Sequence, residues 1–206
     1  MTENSGCRNQ GNNAANLLSA DQDGQPRQRD GQIDLGAFEY TKILRVPQDY
    51  LEIQPAIDAA GNGHVIQVSD GIYSGNLNFN GKRITLRSEH GPQNCIIQGT
   101  RNGPAVVFES AETYLTSLEG VTITGGSVNG SGGGILCDNE ASPRIENCII
   151  KGNQAQYGGG VACLNSASPV MVNCLVYGNI ADQAGGGILC DSSSTVTLTH
   201  GTVVNN

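Results

Sequence analysis

The chain has 206 residues, a net charge of −8, no Trp and only 4% aromatic residues, but it has 29 glycines. So few aromatic residues argue against a large aromatic core, and about twice the usual share of glycine indicates many tight turns rather than long helices. The acidic balance argues against nucleic acid as a partner and disfavours an acidic polysaccharide unless Ca²⁺ bridges the two, and no run approaches the ~20 apolar residues of a membrane span.

Residues 1–42 are polar and rich in turn-forming residues, and they do not share the repeat that follows. The run DQDG at 21–24 resembles the start of a Ca²⁺-binding loop, but an acid is missing at the twelfth position, so we interpret it as a turn. The first residues contain no apolar signal segment. We therefore expect that a secretion signal, if the protein has one, lies upstream of Met1.

Residues 44–60, LRVPQDYLEIQPAIDAA, predict a strand followed by a short helix. Ile53, Ile57 and Ala60 would share one helix face, and Pro55 is acceptable only in the first turn, which places the helix start near residues 50–52. Such a helix would cap the open N-terminal end of a stacked β-structure.

From residue 95 onward the chain repeats with a period of about 26–27 residues, within the range of stacked-repeat architectures. The segments GGGILCD, GGGVACL and GGGILCD begin at residues 132, 158 and 185. Apolar residues alternate within short runs, which predicts short strands that stack in parallel as a β-solenoid. The Leu/Asn signature of leucine-rich repeats is absent, which argues against that fold. The many glycines argue against helical repeats. Four columns of residues keep the spacing: Cys137, Cys163, Cys190; Cys95, Val121, Cys148, Cys174, Gly201; Ile97, Ile123, Ile150, Val176, Val203; and Leu118, Ile145, Met171, Leu198.

Asparagine occupies two further columns. Asn153, Asn179 and Asn206 form one column, and Asn94, Asn147 and Asn173, interrupted by Gly120, form the other. We predict that both are structural ladders of hydrogen-bonded amides rather than ligand sites. The GGG runs are expected at bends where neighbouring rungs approach closely.

The seven cysteines contain no CxxC pair, which argues against a zinc site, and no cofactor or metal is predicted. Their spacing stacks them on neighbouring rungs, about 4.8 Å apart, which would permit some disulfides. We predict mostly free, buried thiols that act as small apolar residues. The cysteines are Cys7, Cys95, Cys137, Cys148, Cys163, Cys174 and Cys190.

The run VPQDYLEIQPAIDAAGNGHVIQVSDGIYSGNLNFNGKRITLRS and the later GGG repeats resemble bacterial pectin-lyase-like proteins. The resemblance implies an all-β, right-handed parallel β-helix with about 26–27 residues per rung and a short N-terminal capping helix. The run DQDGQPRQRDGQIDLGAFEY resembles the C-terminal end of a choice-of-anchor Q domain. We therefore expect residues 1–42 to be the tail of a preceding β-helix domain or a linker, and residues 43–206 to be a β-helix domain truncated at its C-terminal end.

No set of residues predicts a catalytic site. A lyase of this superfamily needs Arg or Lys beside acids, but Arg83, Arg87, Arg101 and Arg144 lack such a motif and are interpreted as surface residues. A glycoside hydrolase needs paired carboxylates. Asp138 and Asp191 share a register two rungs apart, with Leu164 between them, and we interpret them, like His200, as turn residues.

The sequence thus favours a non-catalytic extracellular or cell-surface β-helix protein, structural or adhesive, with polysaccharide or a surface glycan as its candidate partner. The alternative is a polysaccharide lyase or glycoside hydrolase whose catalytic rungs lie outside this chain. The column Leu136, Ala162, Leu189 points outward and is apolar, which predicts a face covered by a flanking loop or by a partner.

Overall fold

The computed structural model describes residues 28–29, 32–33 and 41–206, and its main body is a solenoid of parallel β-sheets. Three sheets, which we call A, B and C, run along the solenoid with seven, six and five strands. Five rungs contribute one strand to A, then B, then C, whereas the first contributes a strand to A alone and the last to A and B, and each strand pairs with the equivalent strand of the next rung. Before residue 41, Gln28–Arg29 pairs with Gln32–Ile33 in antiparallel fashion.

The strands are short, as the alternating apolar runs predict. Sheet A consists of Ile43–Val46, Val65–Val68, Thr85–Ser88, Ser117–Glu119, Arg144–Glu146, Val170–Val172 and Thr197–Thr199. Sheet B consists of Gly71–Ser74, Cys95–Gln98, Thr122–Thr124, Ile149–Lys151, Leu175–Tyr177 and Thr202–Val204. Sheet C consists of Leu77–Asn78, Val106–Phe108, Ile135–Cys137, Val161–Cys163 and Ile188–Cys190.

A fourth sheet, D, forms at the corner between sheets B and C of the later rungs. Its three strands are Ser127–Ser131, Gln154–Tyr157 and Ile180–Ala184, paired in parallel with a register irregularity in each pair. The preceding rung has no sheet D strand, because its sheet B strand ends at Gln98 and its sheet C strand already begins at Val106. The short loop between them meets the edge of sheet D through the bridge from Gly103 to Ser127.

The predicted columns are stacked in register. Ile97 pairs with Ile123, Ile123 with Ile150, Ile150 with Val176, and Val176 with Val203. The sheet A column that begins at Leu118 is confirmed in the same way. Most of these side chains are completely buried, so their apolar surfaces drive the stacking of rungs.

The regular period holds only for the later rungs. In sheet A, Leu44 pairs with Ile66, Ile66 with Leu86, and Leu86 with Leu118. The first two of these steps are shorter than the later repeat and the third is longer, although strand pairing stays continuous. Interior packing constrains the strands, whereas turn lengths on the surface can vary.

A single short helix within the described residues, α1, spans Ile53–Ala59 with Glu52 at its N-terminal boundary. This confirms the predicted capping helix, with Pro55 in its first turn. Its buried side chains, among them Ile57, pack against the first rungs. At its C-terminal end, the ammonium group of Lys82 donates to the carbonyls of Ile57, Asp58 and Ala60 at 2.6–3.0 Å, which satisfies groups that a helix end leaves free.

The first predicted asparagine column forms a buried ladder. The Nδ2 atom of Asn153 donates to Oδ1 of Asn179 at 2.9 Å, and Nδ2 of Asn179 donates to Oδ1 of Asn206 at 2.8 Å. The same amides also donate to strand carbonyls, including that of Ile150. The last three rungs therefore bind one another through these side chains as well as through strand hydrogen bonds.

The second asparagine column is confirmed in its later rungs only. Asn147 and Asn173 have φ of 52° and 51°, in the left-handed region that asparagine tolerates, and Nδ2 of Asn173 donates to Oδ1 of Asn147 at 2.7 Å. Gly120 and His200 take the equivalent position, with φ of 65° and 53°, which supports the interpretation of His200 as a turn residue. Asn94 does not join the ladder, because its amide donates to a carbonyl within its own loop.

The cysteine prediction is confirmed with one exception. All six described cysteines are free thiols, and five are buried, but Cys190 is exposed because it lies on the last sheet C strand. Burial raises the pKa of the Cys95 thiol to about 12. Cys7 lies outside the described residues, as does the DQDG run at 21–24.

The outward column of sheet C is partly covered by the chain itself. Ala162 is fully buried, and Leu136 and Leu189 are half-buried. Close behind them lie the first glycines of the GGG runs, for example Gly158, whose backbone lies so near Ala162 that an added Cβ would be 2.8 Å from that side chain. The glycine runs therefore cover part of this column, and a partner on the half-buried leucines stays a prediction.

Candidate functional surface

The paired acids Asp138 and Asp191 lie in a ridge of hydrogen-bonded turns that follows the strands of sheet C. The cysteines that precede them pair in register through Cys163, so the two acids lie two rungs apart. Between them, the Nδ2 atom of Asn165 donates to Asp138 at 2.7 Å and its backbone N–H donates to Asp191 at 2.7 Å.

Asp191 is held as a carboxylate. The Asn165 backbone N–H is the main cause that lowers its pKa below the usual range, and the backbone N–H and hydroxyl of Ser193, which both donate to the same carboxylate, add to the effect. A glycoside hydrolase needs one carboxylic acid whose pKa is raised, so that it can protonate the leaving group. The geometry of this pair therefore fits a structural role in the turns, with Asn165 where an enzyme would place substrate.

Three of the four arginines that could serve a lyase lie on or beside the strands of sheet A. Arg144 lies on the outer face of sheet A and forms an ion pair with Glu146 on the same strand. Its in-register neighbours are Ser117 and Val170, which offer no second charge. Arg87 lies two strands before Arg144 in the same sheet and is in register with Glu119, which is itself in register with Glu146. Arginines and acids are therefore neighbours on this face, which corrects the sequence-based interpretation of isolated surface arginines, and Arg83 lies just before the Arg87 strand.

Arg101 is the exception, because the structure places it at a cleft. A cleft of about 200 Å³ lies where the short loop before sheet C meets the edge of sheet D. The sequence did not single out the neighbours of Arg101, since only the stacking of three rungs brings them together. The cleft is lined by Arg101, Gly125, Gly126, Ser127, Gly152 and Gln154.

The cleft opens onto the outward side of sheet D, which we call the arch face. It consists of Ser127, Asn129, Gln154, Gln156, Tyr157, Ile180, Asp182 and Gln183, all of them exposed or half-buried, whereas Ala155 between the two glutamines is buried. None of the polar side chains of the arch face hydrogen-bonds to another residue within the described part of the chain. In the acidic ridge, by contrast, the amide of Asn165 and both carboxylates are bonded internally.

A second groove, of about 320 Å³, lies at the corner between sheets A and B. Asn147 and Asn173 bond to each other there, and Ile149 and Leu175 make it more apolar than the cleft at Arg101. It therefore offers fewer free hydrogen-bonding groups to a polar ligand. The groove is lined by Pro92, Gln93, Asn147, Cys148, Ile149, Asn173 and Leu175.

Within residues 41–206 and the two short strands before them, no group of three or more His, Cys, Asp or Glu side chains is arranged to hold a metal ion. The helix found in these residues is too short to cross a membrane.

Comparison with known proteins agrees with the topology. No curated protein matches the chain. The family described as "Right handed beta helix region" matches residues 56–206, which include all but the first of the sheet A strands and most of the capping helix. Since this match covers well over half of the chain, and since three parallel sheets stack in register along it, the chain belongs to the right-handed β-helix family.

Proposed function

We propose that this protein is a non-catalytic β-helix that acts outside the cell or at the cell surface and binds glycans through the arch face. The observation that carries the proposal is the contrast between two polar surfaces. The ridge at Asp138 and Asp191 uses its polar groups for internal hydrogen bonds, whereas the amides and hydroxyls of the arch face have no partner among the described residues and are free for a ligand.

The chemistry of the arch face suits a sugar. Each glutamine side chain offers both a donor and an acceptor, which can pair with neighbouring hydroxyl groups of one sugar ring. Beside the glutamines, Tyr157 is 38% exposed and offers an apolar ring that carries a polar hydroxyl. Because strands of sheet D are spaced by about 4.8 Å, side chains of successive rungs lie in a row along the solenoid, where a polymer can contact several of them.

Rigidity supports the same proposal. The side chains of the arch face stand on paired strands rather than on a free loop, and Gln154 and Ile180 pair in register. A surface that is already ordered loses little conformational entropy when it binds. A polymer could therefore be held by several weak contacts in series.

The test is to screen the purified chain against a panel of neutral and acidic polysaccharides, measuring binding and the release of reducing or unsaturated ends. Binding without product is expected. Gln154→Ala and Gln156→Ala should each weaken binding about five- to tenfold, the loss of one or two hydrogen bonds. Gln93→Ala, in the second groove, is the matched control and should bind as the parent does. Product release would instead favour a polysaccharide lyase or glycoside hydrolase.

A further inference from the structure

The cleft beside Arg101 has a wall without side chains. Gly125 and Gly152 have φ of 71° and 63°, a conformation that favours glycine, and a Cβ on Gly126 would overlap the carbonyl oxygen of Gly133. The close approach of neighbouring rungs thus requires glycine at position 126. The space remains open because the other two positions also carry no side chain.

Arg101 supplies a positive charge that no described residue neutralises. Its guanidinium group has no hydrogen bond or ion pair with the described residues, and none of the residues lining the cleft is acidic. Arg144, by comparison, is paired with Glu146. In a chain with a net charge of −8, the cleft is a local positive site that the overall charge conceals.

Ser127 and Gln154 complete the lining with a hydroxyl and an amide, neither of which has a side-chain partner among the described residues. A guanidinium group binds a planar carboxylate through two parallel hydrogen bonds, and the hydroxyl and amide can bond to sugar hydroxyls beside it. A volume of about 200 Å³ lies below that of sites for drug-sized ligands, which suits one sugar unit rather than a large molecule.

We propose that this cleft binds the carboxylate of an acidic sugar through Arg101, so that the protein prefers carboxylated glycans to neutral ones. The inference rests on the proposed glycan-binding function and adds the class of ligand. The net charge of −8 by itself disfavours an acidic glycan. A carboxylate bound to Arg101 nevertheless interacts with the guanidinium group at contact distance, much closer than most of the negative charges of the protein. At about 0.15 M salt, the Debye length of about 8 Å screens most of the remaining negative charge.

The test compares three probes for binding at physiological salt: an oligoglucuronate, a sulfated oligogalactan and a neutral oligoglucan. The parent protein should bind the oligoglucuronate most tightly. Arg101→Gln should weaken that binding about ten- to a hundredfold, the usual range for a hydrogen bond to a charged group, and leave the neutral probe unchanged. Arg101→Lys keeps the charge but lacks the fork, and should restore only part of the affinity.

Arg83→Gln is the control, because Arg83 is exposed just before the sheet A strand of the same rung and does not line the cleft, and the substitution makes the same change in net charge. Equal losses in the two variants would overturn the cleft as the site. Equal binding of the sulfated probe with the same dependence on Arg101 would overturn the preference for carboxylate. Neutral binding without any preference for the oligoglucuronate would overturn this inference alone, whereas no binding of any probe would overturn the proposed function as well.

Discussion

The buried asparagine ladder gives the sharpest prediction about stability. Asn179 is buried, and its side chain makes five hydrogen-bond contacts at 2.8–3.2 Å: the two hydrogens of Nδ2 are shared among Asn206, Ile150 and Tyr177, and Oδ1 accepts twice from Asn153. Asn179→Ala removes all five and leaves the backbone N–H of Asn153 without this partner. At about 1 kcal/mol net for each bond, and less for bonds that share one group, we expect a loss of about 3–5 kcal/mol in the free energy of unfolding.

The matched control is Asn173→Gly in the exposed ladder. Asn173 donates one side-chain hydrogen bond, to Asn147, in contact with water, and glycine preserves its left-handed backbone. A loss below about 1 kcal/mol is expected there, since one exposed hydrogen bond contributes little. Urea unfolding followed by far-UV circular dichroism measures both variants under the same conditions. Equal losses in the two variants, or a loss below about 1 kcal/mol for Asn179→Ala, would refute the view that buried amides bind the rungs together.

Three further predictions concern backbone, thiols and pH. Gly126→Ala should prevent folding or lower the free energy of unfolding by several kcal/mol, because the added Cβ would overlap the neighbouring rung. Gly178→Asn should be nearly neutral, since nothing lies within 4 Å of the added Cβ and asparagine tolerates a φ of 62°. Thermal unfolding compares the two variants. In a Cys7→Ser background, a thiol reagent should modify only Cys190 in the native protein but six thiols after unfolding. The rate at which Cys190 reacts in the native protein should increase as pH rises toward its pKa of about 11. Because the pKa of Asp191 is lowered in the folded state, its carboxylate stabilises the fold at pH values above the ordinary carboxyl pKa, and this stabilisation should be lost as pH falls toward the lowered pKa. Asp191→Asn should therefore make acid unfolding less steep. An unchanged dependence of stability on pH would contradict the lowered pKa of Asp191.

The sequence predicts the interior of this protein well because the interior repeats. Stacked side chains must have the same spacing as the rungs, so the column from Ile97 to Val203 and the ladder from Asn153 to Asn206 can be found by counting. The capping helix was predictable for a similar reason, since its buried isoleucines recur at helical spacing.

The earliest rungs and the candidate surface could not be predicted in this way. The uneven steps of sheet A from Leu44 to Leu118 break the period, because turn length is free to change where the chain meets solvent. The three strands of sheet D, SVNGS, QAQY and IADQA, share no pattern of residue types, and their pairing depends on backbone hydrogen bonds between rungs. The cleft at Arg101 results from the same backbone contacts, so no motif in the sequence indicates it.

The most direct test of the central claim, that the free polar groups of the arch face are the binding surface, is to map bound glycan on the protein by NMR. Backbone amide shifts of the parent protein would be followed during titration with the oligosaccharide that binds most tightly. The largest changes are expected in Ser127–Ser131, Gln154–Tyr157 and Ile180–Ala184, and in the loop around Arg101. Changes confined to the outer face of sheet A or to the ridge at Asp138 and Asp191 would contradict this claim.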